Sequence, residues 1–176
     1  ENQDIADKQS IVSQFNRWMK EPFGYESAEF HYLSIKPKIL IEKYLHQDAN
    51  LSDSLIDYKI YCVGGKAQAI LTCHNRTAKH AIKAIYDLDW HIMPSYNSRA
   101  IPDGEKLPKP ESLSAMIAAA ETLSKPFPFV RVDYYEIEGK PIFGEMTFTP
   151  ASGYHIYGST QFLTDMGQSV MKTLSL

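Results

Sequence analysis

Two carboxylates flank a short turn in the segment 129–153, which reads FVRVDYYEIEGKPIFGEMTFTPASG. Runs of strand-forming residues lie on either side of residues 138–140, a pattern that predicts a β-hairpin with a three-residue loop. With that loop, Asp133 lies directly opposite Glu145. Side chains alternate between the two faces of a strand, so both carboxylates share one face.

This pairing has a consequence for the chemistry of the hairpin. Two carboxylates that face each other across a ladder repel unless a cation lies between them. Mg²⁺ prefers oxygen ligands, which makes Asp133 and Glu145 candidate metal ligands. Arg131, which the same register places opposite Thr147, could hold a phosphate beside them. The alternative is a solvated strand face with an ordinary Arg–Asp ion pair.

A second hairpin is predicted over 56–73, with a two-residue turn at Gly64-Gly65. A regular ladder places Lys59 opposite Ile70. The face expected to pack on a core carries Tyr58, Ile60, Cys62, Ala67, Ala69, Leu71 and Cys73. The opposite face carries Asp57, Lys59, Tyr61, Lys66 and Gln68. Lys59 and Arg76 could converge on a polyphosphate, although an ordinary half-exposed hairpin would show the same pattern.

The apolar run 37–45, PKILIEKYL, predicts a short strand that ends in an exposed linker. Backbone groups freed from a ladder at such a strand end can bind the edge of a planar base, and Tyr44 and Leu45 could supply apolar contacts. A plain strand end is the alternative interpretation.

Helices are predicted over 7–20, 111–124 and 158–174 from apolar stripes at helical spacing. Together with the hairpins they indicate an α+β domain, with an antiparallel sheet built from the two hairpins and the 37–45 strand and with helices on one face. Asp7 is expected to cap the first helix, and Ser159 or Thr160 the last.

Composition excludes some classes of partner. The 176 residues carry a net charge of −3, which gives no reason to expect nucleic acid binding. No apolar run approaches the length of a membrane span, so membrane insertion is not expected. Cys62 and Cys73 suggest core thiols of a reduced, cytoplasmic protein rather than a disulfide framework.

Asp87 and Asp89 open a different possibility. The sequence Asp-Leu-Asp matches the D-x-D pattern with which glycosyltransferases hold a metal on a nucleotide sugar, but so short an acidic pattern often arises by chance, and a surface loop is the favoured interpretation. Glycine-rich phosphate loops, the G-x-S-x-G elbow and the H-E-x-x-H zinc motif are absent from the sequence. Any nucleotide would therefore be held by the faces of the sheet.

The order of these motifs resembles the ATP-grasp superfamily, and most closely the TupA-like ATP-grasp family of bacterial surface-polysaccharide clusters. The segments that carry the resemblance are DYKIYCVGGK, YDLDW, FVRVDYYEIEGKPIFGEMTFTPASG and the final helix. The resemblance covers nearly the whole chain. It implies that residues 1–176 form one partial domain, the C-terminal portion of the ATP-grasp fold without the N-terminal domain and part of the first subdomain.

The resemblance also implies roles for particular residues. The main chain of Glu42, Lys43, Tyr44 and Leu45 would hold the adenine of ATP. Asp133, Glu145 and Thr147 would carry Mg²⁺, with Thr147 standing where many members of the superfamily have asparagine. Lys59, Arg76 and Arg131 would face the phosphates.

The implied reaction is ATP-dependent carboxylate–amine ligation through an acyl phosphate in surface polysaccharide biosynthesis. Its substrates would be small or polymer-linked carboxylates and amines, and this chain alone is expected to be inactive. The alternatives are a glycosyltransferase of the same kind of pathway and a non-catalytic nucleotide-binding remnant. The oligomeric state is not predicted.

Overall fold

The structure is a computed structural model that describes residues 7–22, 24–25, 29–154 and 157–175. The chain divides into two compact units, Glu1–Tyr44 and Leu45–Leu176. No helix in the described part of the chain combines the length and the apolar character needed to cross a bilayer.

The first unit contains helix α1, Lys8–Trp18, and a single 3-10 turn over Phe30–Ser34. The Asp7 side chain accepts a hydrogen bond from the backbone N–H of Gln9, which confirms the predicted cap. The apolar stripe of α1 is not covered by a core, since none of its described residues is buried.

The predicted strand over 37–45 is wrong. Residues 36–48 form neither helix nor strand, and Leu40 and Ile41 are 81% and 83% exposed. A strand is stabilised by hydrogen bonds to a neighbouring strand, and none of the described strands pairs with this segment. Apolar composition alone therefore predicted an element that has no ladder partner.

The second unit is built on a five-stranded antiparallel sheet with the strand order β3-β2-β1-β4-β5. The strands are β1 Asp57–Val63, β2 Lys66–His74, β3 Ile82–Tyr86, β4 Phe129–Ile137 and β5 Lys140–Thr147. The helices are α2 Leu113–Ser124 and α3 Thr160–Thr173, and the Ser159 side chain caps α3 by accepting from the N–H of Phe162. The α+β class with an antiparallel sheet is confirmed. Its fifth strand is β3, which the sequence analysis did not identify.

Each face of the sheet carries its own apolar cluster. Helix α2 contributes Met116 and Ala120 to the cluster around Ile60 and Val132. Helix α3 contributes Phe162 and Met166 to the cluster on the opposite face, around Tyr61, Leu71 and Ile85. The predicted packing of the helices on one face is therefore wrong, because α2 and α3 lie on opposite faces. Helix α3 shares its face with the charged side chains described below.

The first hairpin contains a β-bulge that the sequence analysis missed. Its turn is Gly64-Gly65 as predicted, and Val63 pairs with Lys66. Between Tyr61 and Cys62 the register shifts by one residue, so that Tyr61 pairs with Ala69 and Lys59 with Leu71 instead of Ile70. A shift of one residue moves every later side chain to the other face. Ala69, Leu71 and Cys73 therefore lie on the face of Lys59, and their predicted place beside Tyr58 is wrong.

The second hairpin has a shorter turn than predicted and a compensating bulge. Ile137 pairs with Lys140, so the turn is Glu138-Gly139 and not a three-residue loop. The register then shifts between Asp133 and Tyr134, which leaves Gly144 as an extra residue. The two differences offset each other, and the predicted pairs, Asp133 with Glu145 and Arg131 with Thr147, are confirmed.

Candidate functional site

Asp133 is a buried carboxylate at the centre of the sheet, where β1 and β4 run side by side. Lys59 lies directly opposite it on β1, and its Nζ donates to Asp133 Oδ2 at 2.5 Å. Arg131, two residues earlier on β4, donates from Nε to Oδ1 and from Nη2 to Oδ2, both at 2.7 Å. Asp133 is only 2% exposed, and a buried carboxylate is stable only when it is paired and hydrogen-bonded in this way.

Asp57 connects Lys59 to Arg76. It lies two residues before Lys59 on β1 and therefore on the same face, where its Oδ1 is 3.3 Å from Lys59 Nζ. The guanidinium of Arg76 contacts the second oxygen of Asp57, and the backbone N–H of Arg76 donates to Ser54 Oγ. Lys59, Arg76 and Arg131, which the sequence analysis proposed separately, are thus linked through two aspartates.

Glu145 and Thr147 form the exposed rim of this network. Arg131 Nη2 donates to Thr147 Oγ1 at 2.9 Å and to Glu145 Oε1 at 3.2 Å. The Thr147 hydroxyl donates to the same Glu145 oxygen at 3.1 Å. The side chain of Glu145 is 63% exposed, whereas that of Asp133 is 3% exposed. In the structure the cation that separates the two carboxylates is the guanidinium of Arg131.

Both arginines are held in the charged form. Burial alone would lower the pKa of Arg131, but its hydrogen bonds and charge interaction with Asp133 raise that pKa above its ordinary value. A hydrogen bond to the Cys73 thiol raises the pKa of Arg76; burial opposes this, and the charge of Asp57 adds to it. Both guanidinium groups therefore stay charged within their ion pairs with Asp57 and Asp133.

A groove of about 320 Å³ opens over this face of the sheet. Its cationic lining residues are Lys59, Arg76, Lys79, Lys83 and Arg131. Leu71, Cys73 and Tyr157 also line it, and the described lining includes no aspartate or glutamate. A concave surface lined by one sign of charge concentrates oppositely charged ligands, so the groove suits an anion such as a polyphosphate.

A comparison with protein families identifies one family for the chain. The model of the family described as TupA-like ATPgrasp matches residues 1–171. The chain belongs to this family. No curated protein and no solved structure matches it. Membership of the TupA-like ATP-grasp family indicates a ligase-type fold, and ATP-grasp proteins typically bind ATP and Mg²⁺.

The adenine-binding residues proposed for this ATP-grasp chain do not form the expected strand end. Glu42, Lys43 and Tyr44 belong to the first unit and Leu45 to the second. Tyr44 is 71% exposed. Their backbone groups form no β-ladder, so the assignment of adenine to residues 42–45 stays a prediction.

The D-x-D pattern is explained by local structure. Asp87 Oδ1 accepts from the backbone N–H groups of Asp89 and His91 at 2.9 and 2.8 Å, and Oδ2 lies 3.1 Å from His91 Nδ1. Burial would raise the pKa of Asp87, but the hydrogen bonds from His91 and Asp89 lower it below its usual range. Asp87 therefore stabilises its own turn, as aspartates commonly do.

The oxygen donors proposed for Mg²⁺ are of the right chemical type but are in contact with Arg131. Asp133, Glu145 and Thr147 offer only carboxylate and hydroxyl oxygens, the ligands that Mg²⁺ prefers. Both oxygens of Asp133 are engaged by Arg131 and Lys59, whereas Glu145 is exposed. No group of three or more His, Cys, Asp or Glu residues in the described ranges is arranged to hold a metal.

Sequence reasoning did not select Asp57, Lys83 or Tyr157 as site residues. Asp57 could have been identified from the sequence, because the predicted hairpin places it on the same face as Lys59. Lys83 lies on β3, a strand of only five residues, and its Nζ is 3.3 Å from the centre of the Tyr157 ring. These two residues are 74 positions apart, and no short-range pattern in the sequence could have brought them together.

Proposed function

We propose that this chain provides the phosphate-binding face of an ATP-dependent carboxylate–amine ligase. The proposal is carried by one arrangement. Asp133 and Glu145 lie directly opposite each other on β4 and β5, Arg131 bridges them, and a cationic groove lies beside them. Family membership supports the ligase class at the coarse level. The groove lining supports binding of a polyphosphate rather than a neutral ligand.

The proposed reaction has two steps. A carboxylate oxygen of one substrate attacks the γ-phosphorus of ATP, the bond from that phosphorus to the β–γ bridging oxygen breaks, and ADP leaves. The amine then attacks the acyl carbon, phosphate departs with the carbon–oxygen bond electrons, and the amine nitrogen loses a proton. The product is an amide.

In this proposal Lys59, Arg76 and Arg131 position phosphate oxygens and neutralise the charge on them. Preorganised cations at the groove floor would stabilise the transferring phosphoryl group without rearranging during the reaction. Lys59 and Arg131 are only 13% and 11% exposed as side chains. In such partly buried positions their charges are less screened by water than surface charges.

The same proposal assigns Mg²⁺ to Asp133, Glu145 and Thr147, where it would neutralise phosphate charge. For Asp133 to serve, Arg131 must give up part of its contact with that carboxylate. Phosphate oxygens in the groove would offer Arg131 an alternative bidentate partner, since a guanidinium binds phosphate and carboxylate in the same geometry.

We further propose that the substrates are small or polymer-linked carboxylates and amines of bacterial surface polysaccharide biosynthesis. The reaction would take place in the cytoplasm, where ATP is available and where the free thiols of Cys62 and Cys73 would stay reduced. Residues 1–176 alone are expected to bind Mg-ATP weakly and to show no turnover, because ATP phosphates in an open, wet groove would keep much of their hydration.

The test is the turnover of Asp133→Asn and Glu145→Gln variants in the protein as its gene encodes it, measured as ATP-dependent phosphate release with amide formation. We expect each substitution to lower kcat by about 10²-fold or more, because each removes charge from the phosphate-neutralising site. Asp87→Asn and Asp89→Asn are the matched controls, and they should retain activity. A larger loss in the Asp87 and Asp89 variants would contradict the assignment of the phosphate-neutralising site to Asp133 and Glu145, and sugar transfer from a nucleotide sugar in place of amide formation would favour a glycosyltransferase.

A further inference from the structure

The cationic groove is joined by a smaller cavity of about 160 Å³. Ala81, Lys83 and Tyr157 line both cavities, so the Lys83 side chain lies at their junction. The larger groove is within the range of about 300–1,000 Å³ typical of ligand pockets, and the smaller cavity is below it. The smaller cavity is therefore a side pocket of the groove and would take one end of a ligand.

The cations that line the two cavities differ in how they are neutralised. Lys59, Arg76 and Arg131 are each paired with Asp57 or Asp133. Arg99, in the side pocket, is paired with Glu105. Two lysines, Lys79 and Lys83, form no ion pair with any described carboxylate. Lys79 is exposed and lines only the larger groove, whereas the ammonium group of Lys83 lies over the Tyr157 ring.

The position of Lys83 is also fixed. It lies on β3 opposite Cys73, within the paired segment, and the tyrosine ring holds its Nζ from one side. A cation held in this way keeps the N–H donors that point away from the ring available to a ligand. One fixed, un-neutralised positive charge in a small polar pocket matches one carboxylate.

We propose that Lys83, held over Tyr157, binds the carboxylate substrate that ATP phosphorylates, while the larger groove binds the phosphates of ATP. This inference rests on the proposed ligase function. Acyl-phosphate formation requires a carboxylate oxygen within roughly 3–3.5 Å of the γ-phosphorus. A residue shared by the phosphate groove and its side pocket is in the right place to bring the two reactants together.

The experiment measures carboxylate binding without nucleotide, so it does not depend on turnover. The probes are galacturonate with neutral galactose and glutarate with neutral glutaramide, titrated into the full chain and followed by the amide NMR signals of β3. We expect at least one charged probe to shift these signals and its neutral counterpart not to. Lys83→Met should weaken that binding about tenfold, and Lys83→Arg by less than about threefold.

Two further measurements complete the design. Lys140→Met removes an exposed lysine at the start of β5 and should leave probe binding unchanged. In the Lys83→Met variant, the affinity for Mg-ATP measured by calorimetry should change by less than about threefold.

Several outcomes would overturn the inference. These are no binding of either charged probe, equal binding of charged and neutral probes, or a loss of Mg-ATP affinity in Lys83→Met as large as the loss of carboxylate affinity. Failure of the proposed function looks different. If Mg-ATP does not bind to the protein as its gene encodes it, while carboxylate binding still depends on Lys83, the ligase proposal fails and the carboxylate pocket stands.

Discussion

The two hairpins of the sheet have the same kind of turn and one β-bulge each, but the bulges have different effects on the site. Each has a two-residue turn with positive φ at both positions, Gly64-Gly65 in the first and Glu138-Gly139 in the second. Such turns match the twist of the strands that they connect. Each return strand then contains one extra residue, Gln68 in β2 and Gly144 in β5.

The two bulges have different consequences for the site. The bulge at Gln68 moves Leu71 and Cys73 onto the face of Lys59, so that these side chains become the groove wall. The bulge at Gly144 places Glu145, and not Gly144, opposite Asp133. The first bulge therefore shapes the apolar wall of the groove, and the second sets its carboxylate pair.

This comparison shows that the face a residue occupies depends on every irregularity between it and the turn. Bulges are common next to functional sites because they redirect side chains without ending the strand. In both hairpins the charged cluster lies beyond the bulge as counted from the turn. The geometry of the site therefore depends on the two extra residues, Gln68 and Gly144, as much as on the charged residues themselves.

Of the substitutions that test this comparison, Lys59→Met in the first hairpin should cause the largest loss of stability. Lys59 bridges the buried carboxylates of Asp57 and Asp133, and its loss leaves both with fewer partners. Because each aspartate keeps an arginine, we expect a loss of about 3 kcal/mol in the free energy of unfolding, the lower end for a broken buried pair. Urea denaturation measures it.

Lys66→Met is the matched control for Lys59→Met on the same hairpin. Lys66 is paired with Glu121 at 3.5 Å, but its side chain is 74% exposed. Breaking an exposed pair should cost less than about 1 kcal/mol. Equal losses of stability in the two variants would show that Lys59 does not stabilise the carboxylates of Asp57 and Asp133 as a buried ion pair does.

A smaller effect should distinguish the two bulges. A Cβ added at Gly144 would lie 3.1 Å from the backbone oxygen of Asp133, a close contact with main chain. Gly144→Val should therefore lower the free energy of unfolding by about 1–3 kcal/mol through overpacking. Gln68 already has a half-buried side chain at the equivalent bulge, and Gln68→Val should change stability by less than about 0.5 kcal/mol. Comparable urea midpoints for the two variants would contradict this difference.

The comparison also explains which parts of the structure could be predicted from sequence. Capped helices and the turn at Gly64-Gly65 follow from local chemistry, which is why the Asp7 cap and that turn were predicted correctly and Ser159 was one of the two caps predicted for α3. The Asp133–Glu145 pair was predicted through two errors that cancel, a turn one residue too long and a missed bulge.

The rest depended on contacts distant in sequence. No local pattern marks Gln68 as an extra residue, because the bulge is fixed by how β2 packs between β1 and β3. The run 37–45 has the composition of a strand but no described partner, and β3 was missed because five residues give little periodicity. The charges of the site were visible in the sequence, but their grouping around Asp57 and Asp133 was not.

The smallest effect concerns His74, whose environment is another consequence of the Gln68 bulge. Beyond the bulge, His74 falls on the face of Ile70 and Thr72, where it is 2% exposed and its Nδ1 has no hydrogen-bond partner among the described residues. Burial lowers the pKa of His74 below its ordinary value of 6.5, and the charge of Glu105 opposes this only in part. The native state therefore holds His74 neutral over a pH range in which the unfolded chain protonates it.

The sign of the pH dependence follows from this difference. As the pH falls below about 6.5, the unfolded chain binds a proton that the native state does not, so stability decreases by at most about 1.4 kcal/mol per pH unit. His74→Leu should remove this contribution and flatten the profile, as measured by urea denaturation between about pH 7.5 and 5.5. His80→Leu, at an exposed histidine, should leave the profile unchanged. If His74→Leu retains the slope of the unsubstituted chain, His74 is not the buried neutral group that the bulge creates, and the register of β2 beyond Gln68 has to be reassigned.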